Sequence, residues 1–178
     1  MGVKLVAASD SKGAIHNPEG IDPDELEAVK WKVGTVAAYP RGKKITLPEL
    51  LTVPCDILIP AARPDCIHGE NAPAIQARLI LQGANIPATT EAETILHRRG
   101  VLVVPDFIAN AGGVICAAVE YHGGTEAVAF EAIAQKIRHN TEAVLARSRD
   151  ERIEPRRAAV ELAGERVRAA MSYRRRIG

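Results

Sequence analysis

Aromatic side chains are scarce in this chain: two Phe, three Tyr and one Trp make up 3% of 178 residues. A core with so few rings is aliphatic, and a nucleic-acid strand finds almost nothing to stack on. Cysteine is scarcer. Cys55, Cys66 and Cys116 are an odd number with no Cys-x-x-Cys pair, which argues against a disulfide framework. They read as reduced thiols, small hydrophobes in or near the core of a cytoplasmic protein without a signal peptide. Excess charge is missing too: 23 Lys and Arg against 22 Asp and Glu leave a formal net charge of +1, without the field that gathers nucleic acid or an anionic membrane. No apolar run is long enough to span a bilayer. His16, His68, His97, His122 and His139 are scattered, with none paired at i, i+4 and no cysteine at a zinc-ligand spacing, so no metal is expected. The one local imbalance, ten Arg against five acids from Arg147 to Arg176, reads as a solvated helix face, because only Tyr173 is interleaved for stacking.

What remains is ordinary globular material, 47% hydrophobic and long enough for one domain with a core. Val3 to Ala8 reads as a buried strand. Asp22-Pro23-Asp24-Glu25 supplies an N-cap, a proline at the first helical position and an early carboxylate, opening a helix that Gly34 closes. Thr46-Leu47-Pro48-Glu49 and Thr90-Glu91-Ala92-Glu93 repeat that logic for a short helix and for one ending at Gly100. Ile57 to Ile59, Leu79 to Leu81 and Val101 to Val104 are strand-like. Strands alternating with capped helices predict an α/β fold of parallel crossover units. After Gly113 the pattern is helical. Phe130, Ile133, Ile137 and Val144 share one face, and beyond Pro155 the residues Ala159, Ala163, Val167, Ala170 and Met171 form a narrow stripe for close packing.

Two turns stand out. Gly83-Ala84-Asn85 follows the run Leu79-Ile80-Leu81, and Asn110-Ala111-Gly112-Gly113 follows Val101 to Val104 and the breaker Pro105-Asp106. Glycines let backbone approach a flat ligand, and an asparagine offers the acceptor and donor that hold a carboxamide. Two such turns point to a nucleotide site at the carboxyl edge of a parallel sheet. Turn asparagines that serve the backbone alone are the other reading. Asp10 ends the first strand, where dinucleotide folds place an acid against the adenosine ribose; a solvated acid capping a turn is the alternative. Ala61 and Ala62, after Pro60, leave room for a flat adenosine or merely end a strand.

Ser9-Asp10-Ser11-Lys12-Gly13, Asn17-Pro18-Glu19-Gly20, Cys55 to Ala62, Gly83-Ala84-Asn85, Thr89 to Glu93 and Pro105 to Val114, in this order, resemble the cofactor-binding half of the glutamate/leucine/phenylalanine/valine dehydrogenases. The resemblance implies a Rossmann-like parallel sheet lacking its first strand, with a C-terminal helical pair. Residues 1–122 would form a partial dinucleotide-binding domain, and 123–178 a helical segment packing on it. It implies NAD or NADP as cofactor. Asp10 and Ser11 would meet the adenosine ribose, Ala61 and Ala62 the adenosine, Asn85 the nicotinamide ribose and Asn110 the carboxamide, with Gly83, Ala84, Gly112 and Gly113 also in the cofactor-binding set. An acid at Asp10 leans toward NAD, with Lys12 acting against that preference. Relatives deaminate an L-amino acid such as glutamate to a 2-oxo acid and ammonia. Their preceding substrate domain carries the catalytic lysine and aspartate, and none of the seven lysines here stands in such a context. No catalytic residue is therefore expected in this chain, which by itself would be inactive. It would act as a homo-oligomer or with a chain carrying the missing domain; the alternative is a non-catalytic nucleotide-binding, assembly or regulatory fragment. Three departures bear on the site: Ala117 where glutamate-specific members have serine, Ile86 where a glycine is common, and Gln82 in place of glutamate.

Overall fold

The structure, a computed structural model, describes residues 2–174; Arg175 and Arg176 of the arginine-rich end lie outside the described residues. Strand β1 (Leu5–Asp10) turns back through Ser11-Lys12 into β2 (Gly13–Ile21), and β3 (Lys43–Ile45) pairs on the far side, giving an antiparallel sheet of order β1-β2-β3. A two-residue connection admits only antiparallel pairing. The Asp10 carboxylate fixes this turn by accepting from the Lys12 amide at 2.9 Å. The expected buried strand from Val3 is thus corrected: β1 starts at Leu5, is half-buried throughout, and belongs to a separate sheet. β2 shows no strand pattern in sequence because Asn17-Pro18-Glu19-Gly20 are turn formers. They form an irregularity where pairing passes from Ala7↔His16 to Leu5↔Ile21, and the Asn17 side chain donates to the Gly20 carbonyl at 2.7 Å.

Helix α1 (Pro23–Val33) is capped by Asp22, which accepts from the Asp24 and Glu25 amides at 3.0 Å, and it closes at Gly34 in the left-handed region, φ 85°. Helix α2 (Leu47–Leu51) carries a full capping box between Thr46 and Glu49.

The parallel sheet holds three strands in the order β4 (Ile57–Leu58), β5 (Leu79–Leu81), β6 (Leu102–Val104), with Ile57 beside Leu79 and Ile80 beside Val103. α3 (Thr90–Arg98) crosses between β5 and β6. Its cap is Thr89, one residue earlier than the sequence suggested, which accepts from the Ala92 amide at 3.2 Å. Glu93 is therefore released from capping and turns inward, 5% exposed. Ile67, Ile75, Ile80 and Leu96 form the centre of the core, with no exposed surface.

Beyond β6 come α4 (Asp106–Ala109), α5 (Gly112–Tyr121), α6 (Glu126–Glu151) and α7 (Pro155–Arg174). Val104 and Ile108 pack with Val144 of α6 and with Ala158 and Ala159 of α7. The two apolar faces need correction. Phe130 is 64% exposed, while Ala129 is the buried residue of that turn. On α7 only the first turns are covered, so Ala158 replaces Val167 and Met171 as the contact, and both of those are exposed.

Candidate functional site

Because β5 and β6 are parallel neighbours, both asparagine turns leave the sheet at the same edge. Gly83 and Ala84 donate their amides to the Pro60 carbonyl at 3.1 and 2.9 Å, tying this turn to the end of β4. A Cβ on Gly83 would stand 3.0 Å from the Ala61 Cβ, so glycine permits the approach. Asn110 follows α4, and its amide donates to the Asp106 carbonyl at 2.7 Å. Its side-chain Nδ2 donates to Asn85 Oδ1 at 2.8 Å and to the Gly83 carbonyl at 3.4 Å. Among the described residues the Asn110 Oδ1 and the Asn85 amide nitrogen make no hydrogen bond. Asn110 thus keeps an acceptor and Asn85 a donor for a bound group. Gly113 is exposed with open space around it, and Gly112 precedes it at the start of α5. Beside Gly83 opens an apolar hollow of about 280 Å³, lined by Ile59, Leu81, Val104, Ala109, Ile137 and Thr141.

Asp10 and Ser11 sit on the hairpin of the other sheet, and among the described residues no hydrogen bond joins them to the asparagine pair. Asp10 Oδ1 accepts from the Lys12 amide at 2.9 Å and the Thr35 hydroxyl at 3.0 Å, and Oδ2 from the Val36 amide at 2.8 Å. Of roughly four acceptor positions on a carboxylate one remains, on Oδ2. Burial pushes this carboxyl up, but the three donors and nearby Lys30 outweigh it and hold it below the ordinary range. Ala62 is exposed and Ala84 half-buried.

Beneath the turns lies a polar cluster that the sequence did not reveal. Arg156, in the first turn of α7, donates to Glu93 Oε2 at 2.7 Å, Asp106 Oδ1 at 2.8 Å and Gln82 Oε1 at 2.9 Å. Gln82 Nε2 donates to Glu93 Oε1 at 2.7 Å, and the Asp106 amide donates to Gln82 Oε1 at 3.0 Å. The other Asp106 oxygen accepts from the Ile86 amide at 2.9 Å. Burial pushes the Asp106 carboxyl up, yet the Ile86 amide and the guanidinium prevail and hold it low. Burial likewise pulls Arg156 down, and Glu93 and Asp106 raise it further than that. One sequence signal was available: Glu93 lies on the helical face of Ala92 and Leu96, a core face. Cys55 and Cys66 are free thiols, and burial raises both, favouring the protonated form. Among the described residues no three His, Cys, Asp or Glu side chains converge on a metal position, and no helix is long and apolar enough to cross a membrane.

The sequence profile of the Glutamate/Leucine/Phenylalanine/Valine dehydrogenase family matches residues 1–175. The chain belongs to this family. It is 48% identical over 184 residues to the glutamate dehydrogenase of Aeropyrum pernix, an alignment covering 98% of this chain and 44% of that protein. It is 47% identical over 121 residues to the NADP-specific glutamate dehydrogenase of Saccharolobus shibatae, covering 68% of this chain and 29% of that one. A crystal structure of the hetero-hexameric glutamate dehydrogenase of Thermus thermophilus, in a leucine-bound form, superposes with a TM-score of 0.83 at 27% identity, over 97% of this chain and 42% of that chain. The chain spans less than half the length of these relatives.

Within this dehydrogenase-family chain the three departures acquire positions. Gln82 is wholly buried in the Arg156 cluster, where an amide both donates to Glu93 and accepts from Asp106 and Arg156. Ile86 adopts φ 48°, the region that suits glycine, with 58% of its surface exposed. Ala117 is exposed on α5.

Proposed function

We propose that the chain is the NAD(P)-binding portion of an amino-acid dehydrogenase, which deaminates an L-amino acid oxidatively to a 2-oxo acid and ammonia. The pairing of Asn110 with Asn85 at 2.8 Å carries the reading, since it holds both amides at the edge of a parallel sheet and leaves Asn110 an acceptor for a carboxamide and Asn85 a donor for a ribose hydroxyl. The nicotinamide supplies the hydride acceptor when bound. Asn110 Oδ1 accepts from the carboxamide, Asn85 serves the adjoining ribose with Gly83 and Ala84, and the bond between the two asparagines fixes both amides in one orientation. Gly112 and Gly113 keep that side open. Asp10 has one acceptor position left for a ribose hydroxyl, with Ser11 beside it, while Ala61 and Ala62 leave room for adenosine. An ionised Asp10 repels a 2'-phosphate, which favours NAD over NADP.

Residues 1–122 bind the cofactor in this reading and 123–178 support them. Among the described residues no lysine and carboxylate are assigned to proton transfer, so in this reading both belong to a substrate domain outside these 178 residues, in a cytoplasmic homo-oligomer or complex. Ala117 removes a hydroxyl that would meet a distal carboxylate, so glutamate itself is disfavoured. Assays of the purified chain with NAD or NADP and glutamate, leucine, valine or phenylalanine should stay at background. Turnover should appear on co-expression with a substrate-domain chain. Turnover by this chain alone, abolished in Asn110→Ala, contradicts the division of labour.

A further inference from the structure

We infer that Arg156 is a positioning residue that sets the geometry of the Asn85–Asn110 pair through the buried cluster beneath it. The inference rests on the cofactor reading of that pair. One guanidinium joins three elements that are remote in sequence: Gln82 lies 74 residues away, Glu93 63 and Asp106 50. Gln82 is the last residue before the Gly83-Ala84-Asn85 turn. Asp106 opens α4, which ends at Asn110. Arg156 therefore pins together the two strand ends whose turns carry the asparagines.

The same cluster reaches the turn backbone. Asp106 spends one oxygen on Arg156 and the other on the Ile86 amide, directly after Asn85, where the chain is held at φ 48°. A branched side chain does not rest there unaided. Gln82, Glu93 and Asp106 are 0, 5 and 7% exposed, so their oxygens depend on partners within the cluster. The guanidinium lies 5.5 Å from the centre of the Phe107 ring, a cation–π contact. A planar fork can meet three fixed acceptors at once, and a lysine ammonium on a flexible stem cannot do so in this geometry.

Amide hydrogen exchange by NMR on the unliganded full chain reads the positioning without any cofactor. In Arg156→Lys the Ile86 amide should exchange about tenfold faster, since the charge-assisted bonds that fix its acceptor are lost, while the Ile15 amide in the antiparallel sheet is unchanged. If the lysine variant does not fold, Asp106→Asn serves instead. Its isosteric amide can accept from only one of Ile86 and Arg156, and the same local acceleration is expected. Unchanged Ile86 exchange, or acceleration equal at Ile15, overturns the inference. In titrations, Arg156→Lys should weaken NADH about tenfold and leave ADP unaffected; equal loss of both marks a merely structural role and also overturns it. Should the wild-type chain bind no nicotinamide nucleotide, the cofactor reading fails while Ile86 exchange still decides the positioning.

Discussion

Ile86 shows how a single residue can carry strain that only coordinates reveal. Ile86 stands where the resemblance implies a glycine, and the left-handed backbone that suits glycine there is a property of the fold. The left-handed conformation costs an L-residue roughly 1–2 kcal/mol, and glycine gives part of that back through its looser unfolded state. Ile86→Gly should therefore raise stability by about 1 kcal/mol in urea denaturation, because the exposed isoleucine loses little packing; a lower midpoint would contradict this. Asp106 makes a pH prediction. Its native carboxyl lies below the ordinary value of 3.8, so as pH falls the unfolded chain takes up the proton first. The stabilisation is full above that value and is lost as pH drops through the native one. Asp106→Asn should be clearly less stable than wild type at neutral pH, with the gap narrowing below about pH 4. A gap that widens in acid would show the carboxylate to be unfavourable. The turns that carry Asn85, Asn110 and Asp10 were legible because turn chemistry is local. Arg156 was not, since nothing near Pro155 in sequence announces acceptors 50 to 74 residues away.

Elements were legible to the extent that their signals were local. The caps at Asp22 and Thr46 and the strand Leu79–Leu81 stand where proline, carboxylate and apolar spacing put them. The hairpin partner β2 escaped because Asn17-Pro18-Glu19-Gly20 breaks its alternation, and pairing, a tertiary matter, overrides propensity there. The face of α7 was misjudged for a different reason: several small residues spaced along a helix define more than one candidate stripe, and the neighbour chooses. Ala158 has no exposed surface, whereas Val167 is 58% exposed. Ala158→Leu should thus cost roughly 1–3 kcal/mol by overpacking α7 against β6 and α6, and Val167→Ser should change stability by no more than about 0.5 kcal/mol. Thermal melts of the two variants check this. A larger loss for Val167→Ser would restore the stripe read from spacing.

At the scale of the molecule, each sheet is open at both edges among the described residues: β1 and β3 in the antiparallel sheet, β4 and β6 in the parallel one. Val3, Ile57 and Ile59 are exposed nearby. Unpaired strand edges invite another strand, the more so beside exposed apolar side chains. The isolated chain should therefore self-associate or melt with low cooperativity, and become soluble and sharply folded with a partner that supplies a strand. Sedimentation together with thermal melts reads this, and a sharply melting monomer at low concentration would mean that the edges need no partner. Cofactor binding is the claim on which the rest depends, and it is tested most directly by calorimetric titration of NADH into the full chain and into Asn110→Ala. Binding to the wild-type chain should be weak yet saturable and about tenfold weaker in the variant, the loss expected for a hydrogen bond that also anchors its neighbour. Equal affinity in both, or none in the wild type, would contradict the assignment of the asparagine pair to the nicotinamide.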